Sequence, residues 1–454
     1  MAQNTDDYPI LEKQTMTDIL LTILGTAIYI PFLLSLVRTQ WDKRSWSRQV
    51  LLSLLLLQGV TLLHIPSVMY ICAGCIFAAG IVYLVKEKPA FHWKPMFVVA
   101  ILYIAWFAVS LTWSRCPQKG ALLLLDNGLP LIGFALLGCT VTISKEEYQR
   151  MLRTLCYAGL IFIGMSVIAW IVSSIEVDIK PWEWPILQKE RIGDYDSNKW
   201  IFRWLGGITG YTHPSYNLLP LFAITSLAMW LRKERKLPVW IWWVLWSGGV
   251  VLTLLSQSRM GCIYSAIILF AYLVYKQDTI RKKMITGGTL AVIGGIALAF
   301  SLGFWKDYGK DPIRDDLRDF TIRYIHAKPW LGAGAGALNP IEMCHTIGSE
   351  YWPHVGYVAP DADPTAWHFK VHMLPHNQWM ADWAHGGIAA ALLAIGIYLC
   401  FAIECIRKRR MAESVFLLVF ILFSFMEPPL YIGKGLYLFC LLAFFLYAYP
   451  KREK

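Results

Sequence analysis

Charge is what this sequence has little of. Only 16% of its 454 residues are Asp, Glu, Lys or Arg, while 56% are apolar and the mean hydropathy is +0.46, which excludes an ordinary soluble domain. No internal repeat, heptad seam or separate soluble domain interrupts the pattern, so residues 1–454 read as one integral membrane domain. A basic leader is missing too: the first fifteen residues carry Asp6, Asp7 and Glu12, so no cleavable signal peptide is expected and Met16 to Val37 reads as a retained helix. Polar cysteine settings are scarce. Cys72, Cys75, Cys139, Cys156, Cys262, Cys400, Cys405 and Cys440 lie within or at the ends of apolar runs and read as small buried hydrophobes. The Cys72, Cys75 pair has no second C-x-x-C, which argues against a redox or metal role, and only Cys116 and Cys344 sit where a disulfide is open.

What is present is a series of apolar stretches, thirteen of them between Met16 and Pro450, most of a length to cross about 30 Å of hydrocarbon as helices. The expected fold is all-α, a polytopic membrane protein with 12–13 transmembrane helices. The formal charge of +11 does not point to nucleic acid, because 25 of the 42 Lys and Arg fall in short loops at 38–49, 86–95, 144–153, 232–236, 276–283, 407–410 and 451–454. Cations gathered on alternate loops place those loops on the cytoplasmic side, with the amino terminus outside and the carboxyl terminus inside. Two long loops then face outward, 174–214 and 304–375, rich in Trp, Tyr, His and Gly, and such loops are where a site is expected.

Twelve of the remaining cations lie in those two loops, where topology gives them no role. In the first, Arg191 and Arg203 stand out, the latter opening RWLGGITGYTHPSYN, in which His213 and Asn217 lead into a helix. Arg259, in SQSRMG, is a cation at a helix end with apolar sequence on both sides, and it must snorkel or hold an anion such as a phosphate or carboxylate. In the second loop Arg314, Arg318 and Arg323 alternate with Asp315, Asp316 and Asp319, a pattern that also allows pairing within one amphipathic helix. The Gly332, Gly334, Gly336 run lacks the GK[ST] of a phosphate loop and reads as a tight, mobile backbone segment. Six of the ten histidines lie between His345 and His385, and His368, His372 and His376 have i, i+4, i+8 spacing. Pro375 interrupts that helix and no Cys or Glu is in register, so no metal site and no cofactor are expected. His376 alone suits proton abstraction from a sugar hydroxyl.

The order of GYTHPSYN, SQSRMG, Arg314 ahead of PWLGAGAG, and HNQWMADWAHGG resembles the O-antigen ligase and O-antigen polymerase superfamily over about Arg203 to Gly387. The resemblance implies a metal-independent membrane glycosyltransferase of the C type in the bacterial inner membrane, with its site facing the periplasm. Its donor would be a glycan on undecaprenyl diphosphate and its acceptor the lipid A core or another glycan. It further implies that Arg259 and Arg314 hold the diphosphate and that His376 activates the acceptor hydroxyl. Arg191, Arg203, His213, Asn217, Arg318 and Asn377 are the accompanying candidates for substrate binding. The stretch after Asn377 ends GGIAA without the hydroxyl residue of ligases, which leaves a repeat-unit polymerase and a protein O-oligosaccharyltransferase open. A flippase for lipid-linked glycan is the reading of a different class. It is disfavoured because few ionisable residues lie at mid-membrane, Asp126 being the clearest.

Overall fold

The computed structural model describes residues 23–38, 45–176, 208–209, 214–256, 258–289, 292, 312–352, 356–363 and 375–449. Arg191, Arg203, His213, His354, His368 and His372 lie outside the described residues. The chain divides into two compact units, one of residues 1–90 and 143–268 and the other of 91–142 and 269–454.

The first unit contains α1 (Ile30–Val37), α2 (Trp46–Thr61), α3 (Pro66–Glu87), α7 (Lys145–Glu176), α8 (Pro214–Lys233), α9 (Val239–Leu255) and the start of α10 (Arg259–Tyr275). Here α2 and α3 pack as a hairpin, and α7 packs against α1, α8 and α9. The second unit contains α4 (Pro95–Ser110), α5 (Pro117–Leu123), α6 (Leu129–Thr140), α11 (Pro312–Ala327), α12 (Pro340–Ile347), α13 (Gln378–Lys408), α14 (Met411–Ser424) and α15 (Gly433–Ala448). A π turn, Leu124–Gly128, joins α5 to α6 and carries Asp126. The strands β1 (Tyr351–Trp352) and β2 (Gly356–Tyr357) form a small antiparallel pair with Tyr351 opposite Tyr357.

Among the described residues, four helical spans, Pro66–Glu87, Pro117–Thr140, Lys145–Val172 and Gln378–Lys408, are long and apolar enough to cross a membrane, and six shorter apolar helices accompany them. Ile71, Ile81, Val85, Leu102, Leu399, Ile403 and Ile406 are exposed on these helices, a pattern that needs an apolar surrounding rather than water. By contrast α15, apolar on all sides, is buried from Lys434 to Ala448 and forms the centre of the second unit against α6. This is the all-α polytopic architecture the apolar stretches imply.

Proline starts several of these helices, at Pro66, Pro95, Pro117 and Pro340, where its missing N–H costs nothing. Lys88, Arg235 and Arg409 follow helix ends in the left-handed region, at φ of 43°, 55° and 54°. Each puts a cation where a helix dipole is negative.

Candidate active site

The glycine run is tight, as its sequence implies, but it is pinned in place. Helix α13 breaks at Gly387, whose φ is 69°, and a break leaves backbone groups of the preceding turn without helical partners. The segment Pro329–Gly334 and the side chain of Trp106 supply them. Ala333 and Gly334 donate their N–H groups to the carbonyls of Ala384 (2.9 Å) and His385 (2.8 Å), Trp106 Nε1 donates to Gly386 (2.6 Å), and Ile388 N–H donates to Pro329 (3.1 Å). Further along, Ala335 N–H donates to Ser110 Oγ (2.9 Å), and Ser114 Oγ donates to the Ala335 carbonyl (2.7 Å). A side chain at Gly387 would collide with the Trp330 carbonyl oxygen, and one at Gly336 with the backbone of Gly120. The glycines therefore allow close backbone approach, and the mobility expected of the run is replaced by a lock between α4, α5 and α13.

This lock fixes the start of α13. Asn377 caps it, accepting from Met380 N–H at 3.0 Å, while Asn377 Nδ2 donates to the Phe425 carbonyl at 3.2 Å. His376, one residue earlier, is thereby held beside the turn that follows α14. Glu427 in that turn is only 4% exposed and bridges two candidates: Arg314 donates from a terminal guanidinium nitrogen to Oε1 at 3.0 Å, and His376 Nδ1 lies 3.0 Å from Oε2. A carboxylate only accepts hydrogen bonds, so this contact places the proton of a neutral His376 on Nδ1 and leaves Nε2 with its lone pair. Arg314 projects from the first turn of α11. A fixed guanidinium beside an imidazole with a free basic nitrogen can hold an anion and accept a proton within one site.

The other candidates divide. Arg318 is exposed and pairs along α11 with Asp315 at 3.2 Å and Asp319 at 3.6 Å, which is the within-helix pairing its spacing allows. Asn217 is fully buried on α8 in the first unit. Arg259 opens α10 in that unit, and Ser258 beside it meets Ser215, at the start of α8, with hydroxyls 3.2 Å apart. The motifs GYTHPSYN and SQSRMG therefore converge at their helix starts. Of the clustered histidines, His385 is buried with Nδ1 2.9 Å from the Ala381 carbonyl and stacks on Tyr431, and His345 sits on α12 near the Ala359 carbonyl. Among the described residues no three His, Cys, Asp or Glu side chains gather as metal ligands do. Cys116 and Cys344 lie within one buried apolar cluster without forming a disulfide, and burial pushes the Cys344 thiol up to about 11.

A second buried carboxylate, Glu342 on α12, is missed by sequence reading. Its N–H is capped by Asn339 at 3.0 Å, its side chain takes Lys328, and Arg115 lies 3.1 Å from its other oxygen as an ion pair. The N-x-x-E spacing of Asn339 and Glu342 is a helix-start signal and could have located α12.

The second unit thus joins apolar helices to an ion-paired arginine, glutamate and histidine, the makings of a polytopic membrane enzyme with a polar site at helix ends. Residues 244–395, about a third of the chain, match the O-antigen ligase family, and over that segment the chain is similar to the O-antigen ligase and polymerase superfamily. The match includes Arg259, Arg314, His376 and Asn377 and stops short of Glu427. No curated protein matches the chain.

Proposed function

We propose that this protein is a glycosyltransferase of the O-antigen ligase type in the bacterial inner membrane. In this reading it takes a glycan from undecaprenyl diphosphate at a periplasmic site and joins it to the lipid A core without a metal ion. The observation that carries the proposal is the bridge of Glu427 between Arg314 and His376. The acceptor hydroxyl attacks the anomeric carbon as the bond to the diphosphate breaks, and its proton passes to Nε2 of His376. Glu427 holds the ring through Nδ1 and stabilises the imidazolium that forms. The departing diphosphate gains negative charge, so a guanidinium already in place at Arg314 favours the transition state over the ground state, and Arg259 is the second proposed anchor. Asn377 stands next to the base, and Arg191, Arg203, His213, Asn217 and Arg318 remain proposals for binding the rest of the substrates.

The test is His376→Ala in cells, with expression matched to wild type. Loss of a general base is worth about 10² to 10⁴ in rate, so transfer should be abolished, with long polymer retained on the lipid carrier and none on the lipid A core. Single repeat units reaching the core would identify a repeat-unit polymerase instead. Normal surface glycan would remove His376 from the chemistry.

A further inference from the structure

A buried polar network lies directly behind the bridge. Gln378, the first residue of α13, and Asp382, one turn on, are both fully buried. Gln378 accepts the Leu430 N–H through Oε1 at 2.8 Å and donates from Nε2 to Asp382 Oδ2 at 2.9 Å. The other carboxylate oxygen of Asp382 accepts two phenol protons, from Tyr103 at 2.7 Å and Tyr431 at 3.0 Å. Leu430 and Tyr431 stand three and four residues after Glu427, and Gln378 two residues after His376. The network thus ties the turn carrying Glu427 to the helix start carrying His376, and Tyr103 ties both to α4.

A buried carboxylate surrounded by such donors is costly to hold in an apolar helix unless something depends on it. Packing the turn onto α13 does not require it, since aliphatic side chains of similar volume would pack as well. What four directed bonds provide and aliphatic packing does not is a fixed distance. We propose that Gln378 and Asp382, with Tyr103 and Tyr431, are positioning residues that hold Glu427 at hydrogen-bond distance from His376 Nδ1. The inference rests on the transferase reading above. It adds that the reach of the base is set by side chains that touch neither substrate.

The arrangement predicts a specific exchange. In Asp382→Asn the new NH₂ opposes either the Gln378 NH₂ or the two phenol protons, and in Gln378→Glu two carboxylates confront each other, so each single change breaks part of the network. In the double variant Gln378→Glu/Asp382→Asn the direction of one bond reverses. The new amide at position 382 donates to the new carboxylate at position 378. That carboxylate still accepts from the Leu430 N–H, and the amide oxygen still accepts from both tyrosines. Purified full-length chain in lipid nanodiscs would be assayed with polyprenyl-diphosphate-linked glycan and lipid A core. Each single variant should lose about tenfold or more in kcat with the donor KM within about threefold, and the double variant should recover to within about threefold of wild type. Because the network acts through Glu427, Asp382→Asn should add less than about twofold loss in a Glu427→Gln background. If the single variants do not insert, Tyr431→Phe, which removes one bond, replaces them in the same cycle.

Wild-type kcat in these variants, failure of the double variant to recover, or losses that multiply with Glu427→Gln would each overturn the inference while leaving the transferase reading intact. If Glu427→Gln and His376→Ala themselves transfer glycan normally, the transferase reading fails and the positioning role falls with it.

Discussion

Glu427 is the residue on which the proposed site turns, and it is the one least visible in the sequence. It lies 51 residues from His376 and 113 from Arg314, in a short turn before two prolines, and no spacing rule links three such positions. The sequence singles out His376 as an imidazole suited to proton abstraction and Arg314 through the family resemblance, and the structure brings both onto Glu427. Arg318 has a similar setting and a different fate, because its partners Asp315 and Asp319 lie on its own helix. Helical spacing alone does not separate the two arginines, since only a contact from a distant turn does so. At Arg314 the prediction concerns geometry. A lysine keeps the charge but offers no fork that could hold Glu427 and a phosphate oxygen together. Arg314→Lys should therefore lose at least about tenfold in kcat/KM for glycan transfer. Near-normal transfer by this variant would reduce Arg314 to a source of field strength.

At the scale of elements, helix existence was readable from apolar length and from the basic loops between the helices, whereas α12, which its Asn339, Glu342 start could have located, was missed. The break in α13 was not. Its sequence, QWMADWAHGGIAAALLAIGIYLC, is compatible with an unbroken helix, and the left-handed Gly387 is fixed by the distant segment Pro329–Gly334 that docks into it. The two glycine motifs are thus halves of one joint. Gly387→Ala would put a methyl group into the Trp330 carbonyl and force a positive φ on alanine. Gly164, in the middle of α7, has nothing within 4 Å of the added carbon, so Gly164→Ala should gain about 0.5 to 1 kcal/mol of helix propensity. Thermal unfolding of both variants in detergent should show a clear loss for Gly387→Ala and no loss for Gly164→Ala. Equal behaviour would mean that the joint does not govern stability.

For the molecule as a whole, composition was sufficient for the class, since exposed Ile71, Ile403 and Ile406 on long apolar helices are what a bilayer requires. The division into two compact units was not evident from composition, because residues 91–142 of the second unit interrupt the sequence of the first, and hydropathy carries no information on which helices pack together. Orientation is a separate proposal, and it rests on the basic loops at 276–283 and 407–410 that flank the segment 304–375. With that segment on the periplasmic side, Gly309→Cys should react with an impermeant thiol reagent in intact spheroplasts. Labelling only after lysis would reverse the topology.

The most direct test of the central claim, that an arginine, a glutamate and a histidine carry glycosyl transfer without a metal, is reconstituted activity. Wild-type protein, its His376→Ala and its Glu427→Gln variants would be compared with lipid-linked glycan and lipid A core in excess chelator. Wild type should keep its full rate, His376→Ala should lose about 10² or more, and Glu427→Gln should fall between them. Loss of wild-type activity in chelator that returns with zinc or magnesium, or undiminished transfer by His376→Ala, would contradict it.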